Sequence, residues 1–301
     1  MARALAIDVG GTKLDVGVVT DEGVILHRRR RPTPTDRDAE GLFEALVELV
    51  GSVCSDTSSA GVEVCGVGSG GPMTGNGALV SPLNIGAWRS FPLRDRLTEV
   101  VGLPTHVDND AKALALAEGW KGAASGCSDF IALVVSTGVG GGIVLDGRLL
   151  DGADGNAGHI GHLVVVPGGR THAGIAGSLE GEASGTAIAE LTGAPAAEAD
   201  RRWRQRTGTL VGRAVGGVAN LLDLRLAVVA GSVALGYGDD FFAAAQAECD
   251  RVARLDFSAG TRIVPAGLAA DGPLIGAAAV GFRGEGATLG AIAPSQALAA
   301  G

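Results

Sequence analysis

"FIALVVSTGVGGGIVLDGRLL", residues 130–150, is the stretch on which the fold turns. An apolar run enters a Ser-Thr-Gly turn, a second run leaves it, and Asp146-Gly147 sends the chain into a third. The glycines stand between two strands. A dinucleotide-binding fingerprint needs them between a strand and a helix, and no GxxxxGK phosphate-loop pattern occurs anywhere in the chain. "LAIDVGGTKLDVGVV", residues 5–19, has the same plan: a β-branched run, a Gly-Gly-Thr-Lys turn, then Leu14, Val16 and Val18 in alternation. Asp21–Gly23 turns it into "VILHRRR". Laying one unit over the other puts Gly138 on Gly10 and Ser136 on Asp8, which reads as a duplicated supersecondary unit.

Between the two units lies a helix pattern, "AEGLFEALVELVGSV", with Leu42, Leu46, Leu49 and Val50 on one face. "VEVCGVGSGGP" is a strand entering a glycine turn at Gly70 and Gly71. "LPTHVDND" is a short strand, and "AKALALAEGWKGAA" a helix that starts right after Asp110. Beyond the second unit, the apolar helix "VGRAVGGVANLLDL" precedes another strand and glycine, "RLAVVAGSVALG", and "GLAADGPLIGAAAVGF" is the last such element. The tail from Arg283 is expected to add one helix or to fray. This order predicts an α/β protein of two related lobes with a cleft between them.

The chain has 301 residues, 46% hydrophobic and 19% charged, which predicts two domains. No apolar run approaches the roughly 18 residues that span a bilayer. The N-terminus lacks a signal peptide's pattern, so a cytoplasmic protein is expected. A net charge of -9 argues against a nucleic-acid partner. The one basic run, Arg28 to Arg31, reads as a solvated strand end. Cys54, Cys65, Cys127 and Cys249 are scattered without metal-ligand spacing or a disulfide framework.

A glycine turn at a strand end lets several backbone N–H groups converge on an anion. Three such turns in one chain point to a polyphosphate ligand. "HIGHLVVVPGGRTHAGIAGSLE", residues 159–180, holds three of the five histidines. Its spacing alone allows a metal site, an acid–base pair, or part of a site whose chemistry lies elsewhere.

"AIDVGGTK", "DNDAKALALAE", "STGVGGGIVLDGRLLDGADGNAGHIGH", "SLEGEASG" and "VVAGSVALG" resemble, in order, the motifs of the ROK family of bacterial sugar kinases and repressors. The resemblance runs from residue 4 to about residue 282. It implies the two-lobed actin-like, ribonuclease H-like ATPase fold with an interdomain cleft. The expected division is a smaller lobe over 1–118 with the first phosphate loop and the catalytic aspartate. A larger lobe over 119–282 follows, with the second phosphate loop and the adenosine and sugar contacts, and then a helix or tail over 283–301. Repressor members carry a helix-turn-helix before the first strand; only four residues precede it here, so a kinase is expected. Homodimers are common among the relatives, and the sequence itself leaves the oligomeric state open. The competing reading is a non-catalytic sugar or nucleotide sensor.

The reaction implied is ATP-dependent phosphorylation of a sugar or a sugar-like cyclitol, with Mg2+. By resemblance Asp110 is the catalytic base and Asn109 hydrogen-bonds the sugar; the alternative is that Asp108 or Asp110 only caps the following helix. Asp8 holds magnesium, through water. Gly10, Gly11, Thr12 and Lys13 form the first phosphate loop, Thr137 and Gly138 the second. Gly231 and Ser232 face adenosine, where the family's three glycines are Ala230-Gly231-Ser232. Gly71, with Gly70, and Asn84 are expected as a sugar-facing turn and a pocket contact; the alternative is that they only pack.

In typical members the histidine stretch reads Glu-x-Gly-His and then CxCGxxGC and Glu, with zinc on the His and three Cys. This chain keeps His162 and Glu180, both expected on the sugar. Thr171, Ala173 and Ser178 occupy the cysteine positions and His159 replaces the first Glu, so no structural zinc is expected. His159 offers one donor and one acceptor where a carboxylate offers two acceptors, which implies a sugar ligand of different hydroxyl pattern.

Overall fold

The computed structural model describes residues 1–56 and 60–294. In chain order, β1 (Arg3–Val9), β2 (Lys13–Thr20) and β3 (Ile25–Pro32) lead to α1 (Ala39–Cys54). Then come β4 (Val62–Ser69), β5 (Met73–Thr74), β6 (Leu79–Val80), α2 (Leu93–Val101), β7 (Thr105–Asn109) and α3 (Asp110–Lys121). The second half opens with β8 (Phe130–Val135), β9 (Val139–Leu145) and β10 (Arg148–Leu149). A small hairpin, β11 (Thr171–His172) and β12 (Ile175–Ala176), precedes α4 (Leu179–Ala183), α5 (Gly185–Thr192) and α6 (Arg201–Leu222). The rest is β13 (Leu226–Ala230), α7 (Ser232–Tyr237), α8 (Asp239–Val252), β14 (Arg262–Pro265) and α9 (Gly272–Gly284).

Two five-stranded sheets share one plan. The first runs β3-β2-β1-β4-β7 and the second β10-β9-β8-β13-β14. In each, an antiparallel meander is extended by parallel strands, so the duplication read from the glycine turns extends to the whole sheet. Strand alternation sorts side chains between two faces. On β1, Leu5, Ile7 and Val9 join the outer core with α1 and α2, while Ala4 and Ala6 face the inner one. On β8, Ile131, Leu133 and Val135 pack with α6 and α8, while Phe130 and Ala132 face inward. The inner core, between the sheets, is filled by α3 and α9.

Small residues let these central helices approach closely. A side chain on Gly66 of β4 would run into the Ala277 carbonyl of α9, and Gly281 lies directly over Gly66. Thus α9, although within the span expected for the second lobe, lies against β1, β4 and β7 of the first sheet.

Two local expectations are corrected. The run Arg28–Arg31 is a strand end that is only partly solvated, with Arg29 and Arg30 exposed. Asp15 is fully buried opposite it on β2, and Arg28 and Arg30 both reach Asp15, at 2.5 and 2.8 Å, because a buried carboxylate must be paired. Beyond α9 the chain neither frays nor forms a helix as far as residue 294: Leu289 and Ile292 bridge each other and are buried in the inner core. The remainder of the expected tail lies outside the described residues.

Candidate active site

β1, β4 and β7 are parallel neighbours, and their register sets Asp8 beside Gly68 and Gly68 beside Asp108. The carboxyl ends of these strands therefore open at one edge, where ligands bind in open α/β sheets. Asp8 is 7% exposed, and no hydrogen bond or ion pair among the described residues reaches its carboxylate. Burial, reinforced by the nearby charge of Asp110, pushes its pKa up to about 7. A carboxylate left so costly to ionise fits a cation, and Asp8 is the residue that would hold Mg2+.

The next residue after β7 starts α3. Asn109 is the cap, its Oδ1 accepting from Ala111 N–H at 3.0 Å, while Asp110 Oδ1 accepts from the same N–H at 2.8 Å. Burial raises the Asp110 pKa against the pull of that N–H, with Glu180 adding to the rise. Asp108 points elsewhere and pairs with Lys112 at 2.8 Å. A side chain at position 71 would start 3.0 Å from Asn109 Nδ2 and 3.6 Å from His159 Cε1, so Gly71, Asn109 and His159 meet. Asn84 stands between two turns: it would lie 2.9 Å from a Cβ on Gly11 and 3.2 Å from one on Gly70.

The first glycine turn is closed by Gly10 N–H to Lys13 O at 3.0 Å, and Thr33 ties it from behind through Gly10 O and Thr12 O. Lys13 leans toward Asp15 at 3.8 Å. In the second half, β8 and β13 end side by side, and the turns that follow put Ser136 Oγ 3.0 Å from Ser232 Oγ. Gly231 has φ +101°, and a side chain there would collide with the Val135 carbonyl. A cavity of about 420 Å³ opens here, lined by Ser136, Thr137, Thr186, Ser232, Val233 and Tyr237. Its size suits a small-molecule ligand such as a nucleoside.

Within the second half, Glu180 ties the second glycine turn to the β11–β12 hairpin. Its Oε2 accepts from Val139 N–H at 2.6 Å, next to Gly138, and its Oε1 lies 2.9 Å from His172 Nε2. The His159 and His162 rings are 5.8 Å apart, and His162 Nδ1 is buried without a hydrogen-bond partner. Burial, with His162 and Lys112 adding, holds the His159 pKa below its ordinary value against the opposing charge of Glu180.

The family model described as "ROK family" matches residues 4–282. The chain belongs to the ROK family. It is 38% identical over 252 residues to an N-acetylmannosamine kinase of Citrobacter koseri, covering 78% of this chain and 84% of that protein. Its structure is similar to that of a ROK-family glucokinase from Streptomyces griseus in complex with glucose and AMPPNP. There the TM-score is 0.79 and the identity 29%, over 94% of this chain and 100% of that one. A ROK hexokinase from Thermus thermophilus gives a TM-score of 0.76 at 32% identity, over 93% and 98%. The α/β architecture is thus the actin-like fold of ROK kinases. Among the described residues no helix is long and apolar enough to cross a membrane.

The donor set of this ROK chain does not fit the family's zinc. Thr171 and Ala173 lie in the β11–β12 hairpin, whose Ala173-Gly174 turn has φ of 48° and 80°, and Ser178 caps α4 by accepting from Gly181 N–H. Among the described residues no group of three His, Cys, Asp or Glu side chains could hold a metal. The loop is tied instead by Glu182, 3% exposed, which accepts from Arg170 N–H at 2.8 Å and from the Arg206 guanidinium.

The sequence reading missed Glu182, Arg206, Lys112 and Asn156. Only Lys112 carried a local signal: a lone lysine in the Ala/Leu run after Asp110, four residues from Asp108.

Proposed function

We propose that this ROK-family sugar kinase transfers the γ-phosphoryl group of ATP to the exocyclic hydroxymethyl of a hexose, with Asp110 as general base. The observation that carries the reading is the convergence of Asn109, Gly71 and His159 at the start of α3, beside Asp110 and Asp8. Asn109 spends its Oδ1 on the helix cap, which leaves Nδ2 free to donate to a sugar hydroxyl. Asp110, raised by burial, is a stronger base than an ordinary carboxylate and takes the hydroxyl proton. The glycine turns at Gly10–Lys13 and Thr137–Gly138 present N–H groups to the phosphates, and the cavity beside Ser232 and Tyr237 takes the nucleoside. Held at Asp8 through water, Mg2+ would spread the charge of the transferring group.

Among hexoses, the favoured acceptor carries an N-acyl group. A neutral His159 donates one hydrogen bond, which suits an amide carbonyl, and accepts one. The N-acetylmannosamine kinases among the relatives support the same choice. The orphaned His162 Nδ1 is a further partner for a sugar hydroxyl.

ADP release with Mg-ATP, measured over N-acetylmannosamine, N-acetylglucosamine, glucose, mannose and a carbasugar cyclitol, tests both levels. Turnover with an N-acylhexosamine is expected. Best turnover with the cyclitol would overturn the acceptor, and binding without ADP release from any compound would overturn the kinase.

A further inference from the structure

His159 reaches the pocket at the end of a loop that is tied at two points. After β10 the chain runs from Asp151 to Gly158 without regular structure. On one side, Lys112 Nζ donates to Asp151 Oδ1 at 2.7 Å and to Gly155 O at 3.2 Å, while also pairing with Asp108 at 2.8 Å. Arg283 of α9 reaches the other Asp151 oxygen at 3.3 Å. On the other side, Asn156 accepts from Met73 N–H at 3.0 Å and donates to Met73 O at 2.8 Å, as a neighbouring strand would. Met73 follows Gly71-Pro72, the turn that His159 meets.

Lys112 is 1% exposed, two residues along α3 from Asp110. An ammonium in that position is costly unless its donors are matched. Asp108 matches one; the other two partners, Asp151 and Gly155 O, belong to the loop. Lifting the loop strands the ammonium, and it also leaves the Met73 backbone unpaired. Both penalties select one loop position.

We propose that Lys112 and Asn156 are positioning residues that place His159 against Gly71 and Asn109 and thereby set which sugar the pocket accepts. The proposal rests on the reading of His159 as part of the acceptor pocket. Lys112 also acts on His159 electrostatically. The groups facing that imidazole are His162 on its own segment, Glu180 of α4 and Lys112 of α3; burial, His162 and Lys112 disfavour the imidazolium, and Glu180 favours it.

The experiment uses Lys112→Met and Asn156→Ala in the full chain, with N-acetylmannosamine and glucose as acceptors. It adds an NMR titration of the His159 ring, identified by its loss in His159→Gln. Both variants are expected to raise the sugar KM about tenfold while the ATP KM stays within about twofold. In Lys112→Met the His159 pKa rises. An unchanged sugar KM in both variants, sugar and ATP KM rising together, or an unmoved His159 titration would each overturn the proposal. If Lys112→Met does not fold, the KM split in Asn156→Ala decides alone. If the unmodified protein phosphorylates neither sugar, the function reading fails, and the His159 titration in the charge-neutral Asn156→Ala variant still decides the positioning: a shift supports it and an unmoved curve overturns it.

Discussion

Asp8 and Asp110 meet beside Gly68. A Cβ at that glycine would lie 3.9 Å from Asp8 Oδ1 and 3.7 Å from the Asp110 Cα. One carboxyl comes from within a strand and the other from the first turn of a helix, and the charge of Asp110 helps to raise Asp8 to about 7.

The Asp8 shift has a sign that can be checked. Its pKa rises from 3.8 to about 7, so the native chain holds a proton that the unfolded chain releases. Metal-free stability therefore falls as pH climbs from 3.8 through about 7. Asp8→Asn removes that fall. In metal-free buffer it is expected to melt on the order of a few degrees above the unmodified protein at pH 8, with the gap closing near pH 4. Turnover with Mg2+ should fall about a hundredfold or more. Unaltered magnesium dependence of turnover would reject the role.

For Asp110 the expected variant is Asp110→Asn, with sugar binding kept and kcat lowered by about two to four orders of magnitude. The base acts ionised, and burial raises its pKa, so the acid limb of kcat/KM lies above the ordinary carboxylate range. Activity rises with pH through that limb, and the limb disappears from the residual activity of the variant. Turnover within about threefold of the unmodified enzyme would remove Asp110 from the mechanism.

Purified protein is expected to carry no stoichiometric zinc, with the hairpin held by Glu182. Glu182→Ala leaves Arg170 N–H without its acceptor and takes the carboxylate from Arg206, which keeps only the Glu182 carbonyl, costing about 1–3 kcal/mol in denaturant unfolding. Elemental analysis showing about one zinc per chain would contradict the first expectation. A Glu182→Ala midpoint equal to that of the unmodified protein would contradict the second.

His159→Glu exchanges one donor and one acceptor for a charged pair of acceptors beside Gly71. Relative kcat/KM should move toward glucose and away from N-acylated hexosamines by about ten- to hundredfold. The measurement is a competition of the two sugars in one tube. An unmoved ratio would show that His159 does not select the acceptor.

The two meanders were legible because glycine turns and period-two alternation are local signals, and the Asp-Asn-Asp run announced the start of α3, although its cap is Asn109 and not Asp108 or Asp110. The candidate aspartates drew notice for a related reason: each lies at or near a strand end, before a turn or a helix. Docking was not legible. That α9 lies on the first sheet depends on Gly66 and Gly281 meeting across the molecule, and no window of sequence contains both. Asp15 likewise looked unremarkable until strand pairing brought Arg28 and Arg30 to it. Lys112 was written as one lysine in a helix, yet its partners come from β7 and from the loop after β10.

The position of α9 also bears on the order in which the protein can be made. A ribosome delivers β1 and β4 early, and residues 272–284, which cover their inner face, only after the whole second sheet has been synthesised. Until then Ala4, Ala6 and Val64 present an open apolar surface. Domains of larger proteins usually fold as units while the nascent chain grows. The first sheet has α1 and α2 for its outer face as they emerge, as the second has α6 and α8, but the cover of its inner face by α9 comes last. One face of the strand that is translated first is among the last surfaces to be covered.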